Sequence, residues 1–211
     1  MRSAARLGHW VGAVACALAA APAAAFTTNI TAANPRTIYL QVGVGSFTGG
    51  NYNSGGTPQA NPTVNLVSVA VPTAAVGNSA AQAMATNTGA TNSFYDGFAF
   101  CNANQLYVGG FYRSTTNTGA ATVTANSATP LSNGSGQTLP FTQIRWTSSG
   151  NGDTGAQPFP AGTFTGTASQ TIGPIARNQW AESCFSFSYL NTTTPAAGTY
   201  TGTVTYTLSA P

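Results

Sequence analysis

The chain has 211 residues, 42% of them hydrophobic and only 4% charged, with six basic side chains, three acids and one histidine. All six basic residues are arginine, and Arg2 and Arg6 lie at the extreme N-terminus. From residue 26 onward four arginines face three acids, a balance that excludes the basic patch a nucleic-acid binder needs. Solubility must then rest on hydroxyls and amides, and the length fits one domain behind a targeting segment.

Arg2 and Arg6 precede an apolar run over 7–21, followed by Ala23, Ala24 and Ala25. This order reads as a secretory signal, residues 1–25, cut before Phe26. The run is too short and alanine-rich for a membrane anchor, so no membrane span is expected after cleavage. Cys16 offers a lipid-anchored alternative, although Ala13, Val14 and Ala15 before it make a poor lipobox. Cleavage removes His9 and Cys16 and leaves Cys101 and Cys184. An exported chain with two cysteines reads as one disulfide, closing a loop of about 80 residues. Two buried thiols are the competing reading.

Residues 26–35 are polar, with Phe26, Thr28, Ile30 and Ala32 in one phase before Pro35. The stretch 37–44 alternates, Ile38, Leu40 and Val42 sharing a face. Residues 43–62, rich in glycine and asparagine, read as a mobile surface loop. A strand is expected over 65–71, with Val67, Val69 and Val71 in phase and Pro72 as its stop. The segment 74–91 is ambiguous between a helical turn and a loop, its Asn, Thr and Gly favouring loop. Residues 93–101 read as a strand with Phe94, Phe98 and Phe100 on one side. In 105–113, Gly109 and Gly110 suggest a bulge or bend. Next come a short strand over 121–125 and a hairpin from Leu131 to Phe141 through Asn133 and Gly134. The hairpin continues through 144–146. After a loop over 148–160, strands are expected over 164–172, 180–189 and 199–208.

The last of these places threonine at every second position from Thr199 to Thr207. Such alternation puts Val204, Tyr206 and Leu208 on a core and the threonines toward solvent, the alternative being a disordered tail. The motif Ala161 to Thr167 recurs at Ala197 to Thr203, each copy carrying a glycine two residues after its aromatic. A neighbouring ring can cover such a glycine. Nine or ten short strands without a long helix predict an all-β, immunoglobulin-like Greek-key β-sandwich over 26–211, in preference to an up-and-down barrel.

Catalytic equipment is sparse. Residues 26–211 contain no histidine for a Ser-His or Cys-His pair and no lysine for a Schiff base. No cysteine–histidine set for zinc and no phosphate-binding loop occurs, so no cofactor is expected. Asp96, Asp153 and Glu182 are the only candidate acids or bases, and the chain reads as non-enzymatic, with a glycosidase a remote alternative. Asp153 suits an Asx-turn better than a calcium loop. Glu182 with Arg177, and Asp96 with Arg113, are candidate ion pairs. Trp146 and Trp180 fit a core, whereas Tyr52, on a loop, is the candidate ligand aromatic.

Leu131, Ser132, Asn133 and Gly134 before Leu139, Pro140 and Phe141, together with the run from Pro195 to Tyr206, resemble the spore-coat-U type of secreted bacterial domain. That group includes subunits of archaic chaperone–usher pili. The resemblance covers about a third of the chain. It implies an immunoglobulin-like sandwich, export to the periplasm, and assembly with a chaperone and usher into surface fibres. It also implies a donor strand at the N-terminus, for which Phe26, Thr28, Ile30 and Ala32 are the matching positions. Cys101 and Cys184 lie mid-chain and late, unlike the disulfides of those subunits, so a self-complete relative stays an alternative. The expected function is a secreted structural or adhesive fimbrial-type protein of the bacterial surface, working by edge-strand pairing. The alternative is a module that binds a surface glycan through loop aromatics.

Overall fold

The computed structural model describes residues 26–211, so the expected signal at 1–25 and Cys16 lie outside it. The described chain is all-β, with short 3-10 turns only, and none of its helices is long and apolar enough to cross a membrane. Its central element is the eleven-residue strand Gln179–Tyr189. One flank of this strand is paired by Leu106–Arg113, which in turn carries Thr37–Val42. The other flank is shared end to end. Ile144–Ser149 covers Cys184 to Tyr189, and Thr27–Asn29 covers Gln179 to Ala181. A second sheet holds Ala121–Asn126 between Gln170–Ile175 and Thr205–Ser209. All these pairings are antiparallel.

From Leu106–Arg113 onward the chain crosses between the two sheets at each long strand, so Gln179–Tyr189 is separated in sequence from both Leu106–Arg113 and Ile144–Ser149 by a strand of the smaller sheet. Period-two patterning makes this a sandwich. Val108, Ala181, Phe185 and Phe187 from the larger sheet meet Val123, Ala125, Ile172 and Ile175 from the smaller. Trp146 closes that core at one end, its Nε1 donating to the Pro160 carbonyl at 2.9 Å.

The larger sheet is covered on its other face too. Residues 43–102 do not form the free surface loop expected of 43–62. Phe47, Tyr52 and Tyr95 lay their rings over Tyr39, Phe111 and Trp180, and Phe94 packs between Phe47 and Tyr107. Ser46–Thr48 pairs with Thr57–Gln59, and the Asn51 side chain accepts the Ser54 N–H to cap the turn between them. The disulfide Cys101–Cys184 fastens this layer to the central strand, with Cα atoms 5.5 Å apart.

Several sequence expectations change. The strand expected over 93–101 is only Ala99–Cys101, because Ser93 accepts the Tyr95 N–H and Gly97, at φ +86°, turns the chain. Phe98 is therefore 76% exposed while Phe100 is buried. The strand expected over 65–71 shrinks to Val67–Ser68. That expected over 164–172 becomes Gly162–Thr163 and Gln170–Ile175, separated by a turn at Gly166. The final strand begins at Thr205 rather than Thr199, but Val204, Tyr206 and Leu208 do pack on the core with the threonines outward. Of the two repeated glycines, Gly202 lies under the Phe141 ring, whereas Gly166 serves its turn instead.

Gly109 and Gly110 make no bulge: Leu106–Arg113 keeps unbroken register with both neighbours. A Cβ on Gly110 would collide with the Tyr39 carbonyl, and one on Gly109 with the Tyr107 hydroxyl. Both glycines serve close approach rather than curvature.

Candidate functional site: the seat of the N-terminal strand

Across the outer face of the larger sheet, register sets the rows. Tyr39, Phe111, Trp180 and Thr28 stand side by side on four neighbouring strands, and Gln41, Gly109 and Glu182 form the next row. Gly109 leaves the space over which Tyr107 leans to reach Glu182 on the opposite strand. The Tyr107 hydroxyl donates to Glu182 Oε2 at 2.5 Å and Trp180 Nε1 donates to the same oxygen at 2.9 Å. Glu182 is fully buried, and its Oε1 accepts no hydrogen bond of normal geometry.

Burial pushes the Glu182 carboxyl above the usual carboxylate range, and the charge of Asp96 adds to the rise. The Tyr107, Ser93 and Trp180 donors pull it back only in part. Burial, then the charge of Glu182, pushes the Tyr107 hydroxyl well up, and burial alone takes Tyr39 to about 12. A carboxyl that holds its proton more tightly when folded favours folding most below the ordinary carboxylate range. That contribution fades as pH rises through the raised value. We expect Glu182→Gln to flatten the fall in stability as pH rises above the ordinary carboxylate range, read by urea denaturation at a series of pH values. An unchanged profile would remove the charge from Glu182's role.

The N-terminal strand lies against this row. Phe26, Thr28, Ile30 and Ala32 are half-buried while Thr27, Asn29 and Thr31 are exposed. The strand itself is only Thr27–Asn29, extended by Ile30 N–H to the Asn178 carbonyl at 2.8 Å. Arg113 braces the residues just beyond it, its Nε donating to the Thr31 carbonyl at 2.6 Å. The Phe26 ring sits between Tyr95 and Phe100, at centroid distances of 5.7 and 5.8 Å. Its backbone nitrogen donates to Asp153 Oδ2 at 2.8 Å. Beside it opens a cleft of about 370 Å³ lined by Phe26, Asp96, Phe98, Asn151 and Glu182.

The acids are therefore placed differently from the pairs read in the sequence. Glu182 bonds Tyr107 and Trp180 rather than Arg177. Arg113 serves the N-terminal backbone rather than Asp96. Asp153 holds Phe26 and Gln157 instead of closing an Asx-turn. Tyr52 is half-buried, 5.2 Å from both Phe111 and Trp180, and burial raises its hydroxyl pKa against the pull of Arg113. Among the described residues no three acid, histidine or cysteine side chains cluster closely enough to hold a metal ion. The convergence of the acids had no local signal, since 57 residues separate Asp96 from Asp153 and 29 separate Asp153 from Glu182.

At the opposite side of the same sheet, Thr37–Val42 is paired on one edge and, among the described residues, has no strand on the other. It borders a groove of about 500 Å³ that Ile38, Leu40, Pro58 and Tyr206 help to line. Comparison with known proteins finds no match: no family model, curated protein or solved structure corresponds to this chain.

Proposed function

We propose that this is an exported, non-enzymatic structural or adhesive protein of a bacterial surface, whose copies join by exchanging the N-terminal strand. One observation carries the reading. Thr27–Asn29 completes the stretch of the central strand that Ile144–Ser149 leaves unpaired, so a seat for an added strand is built into the sheet. A strand that pairs this seat within one chain can pair it in a neighbour with the same hydrogen bonds, the economy of domain swapping. The leader-like residues 1–25 support export, and Cys101–Cys184 suits an oxidising compartment. The absence of histidine and lysine from 26–211 argues against turnover chemistry.

The test uses chain 26–211 with a fluorescent peptide spanning 26–35. Incorporation of the peptide, with a concentration-dependent ladder of oligomers by light scattering, is the expected result. A monomer at every concentration that excludes the peptide would sink strand exchange. The edge strand Thr37–Val42 is the competing contact. Ile38→Lys places a charge there and abolishes association only if that edge is the one used.

A second reading, glycan binding, is favoured by the exposed Phe98 beside Asp96 and Asn151 in the cleft. It moves the expected ligand aromatic from Tyr52 to Phe98. A glycan-array signal lost in Phe98→Ala, from a chain that stays monomeric, would support it in place of assembly.

A further inference from the structure

We infer that Asp153, with Asp96 and Glu182 beside it, forms a binding site for an α-ammonium group, the one that cleavage before Phe26 creates. The inference rests on the export reading only for that cleavage; the site itself comes from the side chains. The full sequence holds three acidic side chains, and all three meet at this place. Asp153 accepts the Phe26 nitrogen directly, while Asp96 and Glu182 line the cleft that Phe26 also lines.

The hydrogen-bond count points the same way. In peptide linkage Phe26 offers one N–H, and Asp153 Oδ2 takes it. Among the described residues, Asp153 Oδ1 and Gln157 Oε1 are buried acceptors without a partner, and Glu182 Oε1 accepts no hydrogen bond of normal geometry. Gln157 already donates to Asp153 Oδ2 at 3.1 Å, which places its amide in the same cluster. Buried acceptors are costly when unpaired, and a cluster of them beside one nitrogen is a site short of donors. An ammonium brings three N–H donors and a positive charge in place of one neutral N–H. It strengthens the contact to Asp153 and offsets part of the desolvation of Glu182. The Phe26 ring, seated between Tyr95 and Phe100, sets the position of that nitrogen, so the ligand is an N-terminal aromatic residue with a free amine. The cleft then reads the exact processing point: a chain one residue longer places its charge about 3.5 Å away.

The absence of lysine makes the test clean, since the α-amine is the only primary amine of chain 26–211. Its protonation can be followed by nitrogen-15 NMR of a chain labelled at the Phe26 nitrogen, which leaves all three N–H donors in place. Its access can be followed by the rate of acylation. The folded chain should show an α-amine pKa at least one unit above the free value of about 8, and acylation about tenfold slower than in urea. Asp153→Asn should bring both back toward the unfolded values. A chain with glycine added before Phe26 should behave like Asp153→Asn while keeping its disulfide and its circular dichroism. An α-amine that titrates and reacts alike in folded and unfolded chain would overturn the inference. So would an Asp153→Asn variant indistinguishable from the parent, or an exported protein whose intact mass places its N-terminus elsewhere. These readouts are made on a dilute monomer, so they stand or fall separately from strand exchange.

Discussion

Replacing both half-cystines, Cys101→Ala with Cys184→Ala, should lower stability by about 4.5 kcal/mol, the chain-entropy value for a closed loop of this length. The two residues are 83 apart in sequence. The loss should appear in urea denaturation as a lower midpoint. It should be unequal in space, because the bridge joins the outer aromatic layer to the central strand and leaves the two-sheet core to other contacts. Hydrogen exchange should therefore rise first at 93–101 and at Thr27–Asn29. A double variant within about 1 kcal/mol of the parent would show that the aromatic layer holds itself in place.

Trp180→Ala should have an effect of the same order, about 3–5 kcal/mol for a large ring lost from a buried site. Trp180 is fully buried, and Tyr39, Phe47, Tyr52, Tyr95 and Phe111 all stand within 6.5 Å of its ring, centroid to centroid. Its loss removes the common floor of that layer. It also leaves Glu182 Oε2 with the Tyr107 hydroxyl alone. Trp180→Phe keeps one ring in place and removes the Nε1 donor with the rest of the indole, so it should cost less, about 1–3 kcal/mol. Equal losses in the two variants would show that the remaining phenyl ring contributes nothing and place the effect in the Nε1 donor and the part of the indole that both variants lack. Because Thr28 stands opposite Trp180, the alanine variant should also loosen the N-terminal strand and speed exchange with the 26–35 peptide.

Strands whose two faces differ in chemistry were legible before any coordinates. Ala121–Asn126 and Thr205–Ser209 alternate as their residues require, since period two leaves no other way to bury one face, whereas Thr37–Val42 is covered on both faces and buries Gln41 more deeply than Ile38. Residues 93–101 misled because the spacing of Phe94, Phe98 and Phe100 mimics a strand, whereas Asp96 and Gly97 turn the chain between them. The glycine pair in Leu106–Arg113 also misled. A glycine demanded by a neighbour's carbonyl or hydroxyl looks, in sequence, the same as one demanded by a bend.

The sequence by itself determined an all-β chain poor in charge, with two cysteines placed to bridge and an N-terminal segment patterned to be half-buried. Those properties depend on composition and on alternation over a few residues, which local chemistry decides. Only the tertiary structure decided that a second layer of rings covers the outer face, that Glu182 is buried beneath it, and that three distant acids meet beside Phe26. Each of these depends on which strand lies beside which. That order is selected by the packing of the whole sandwich, and no short stretch of residues encodes it.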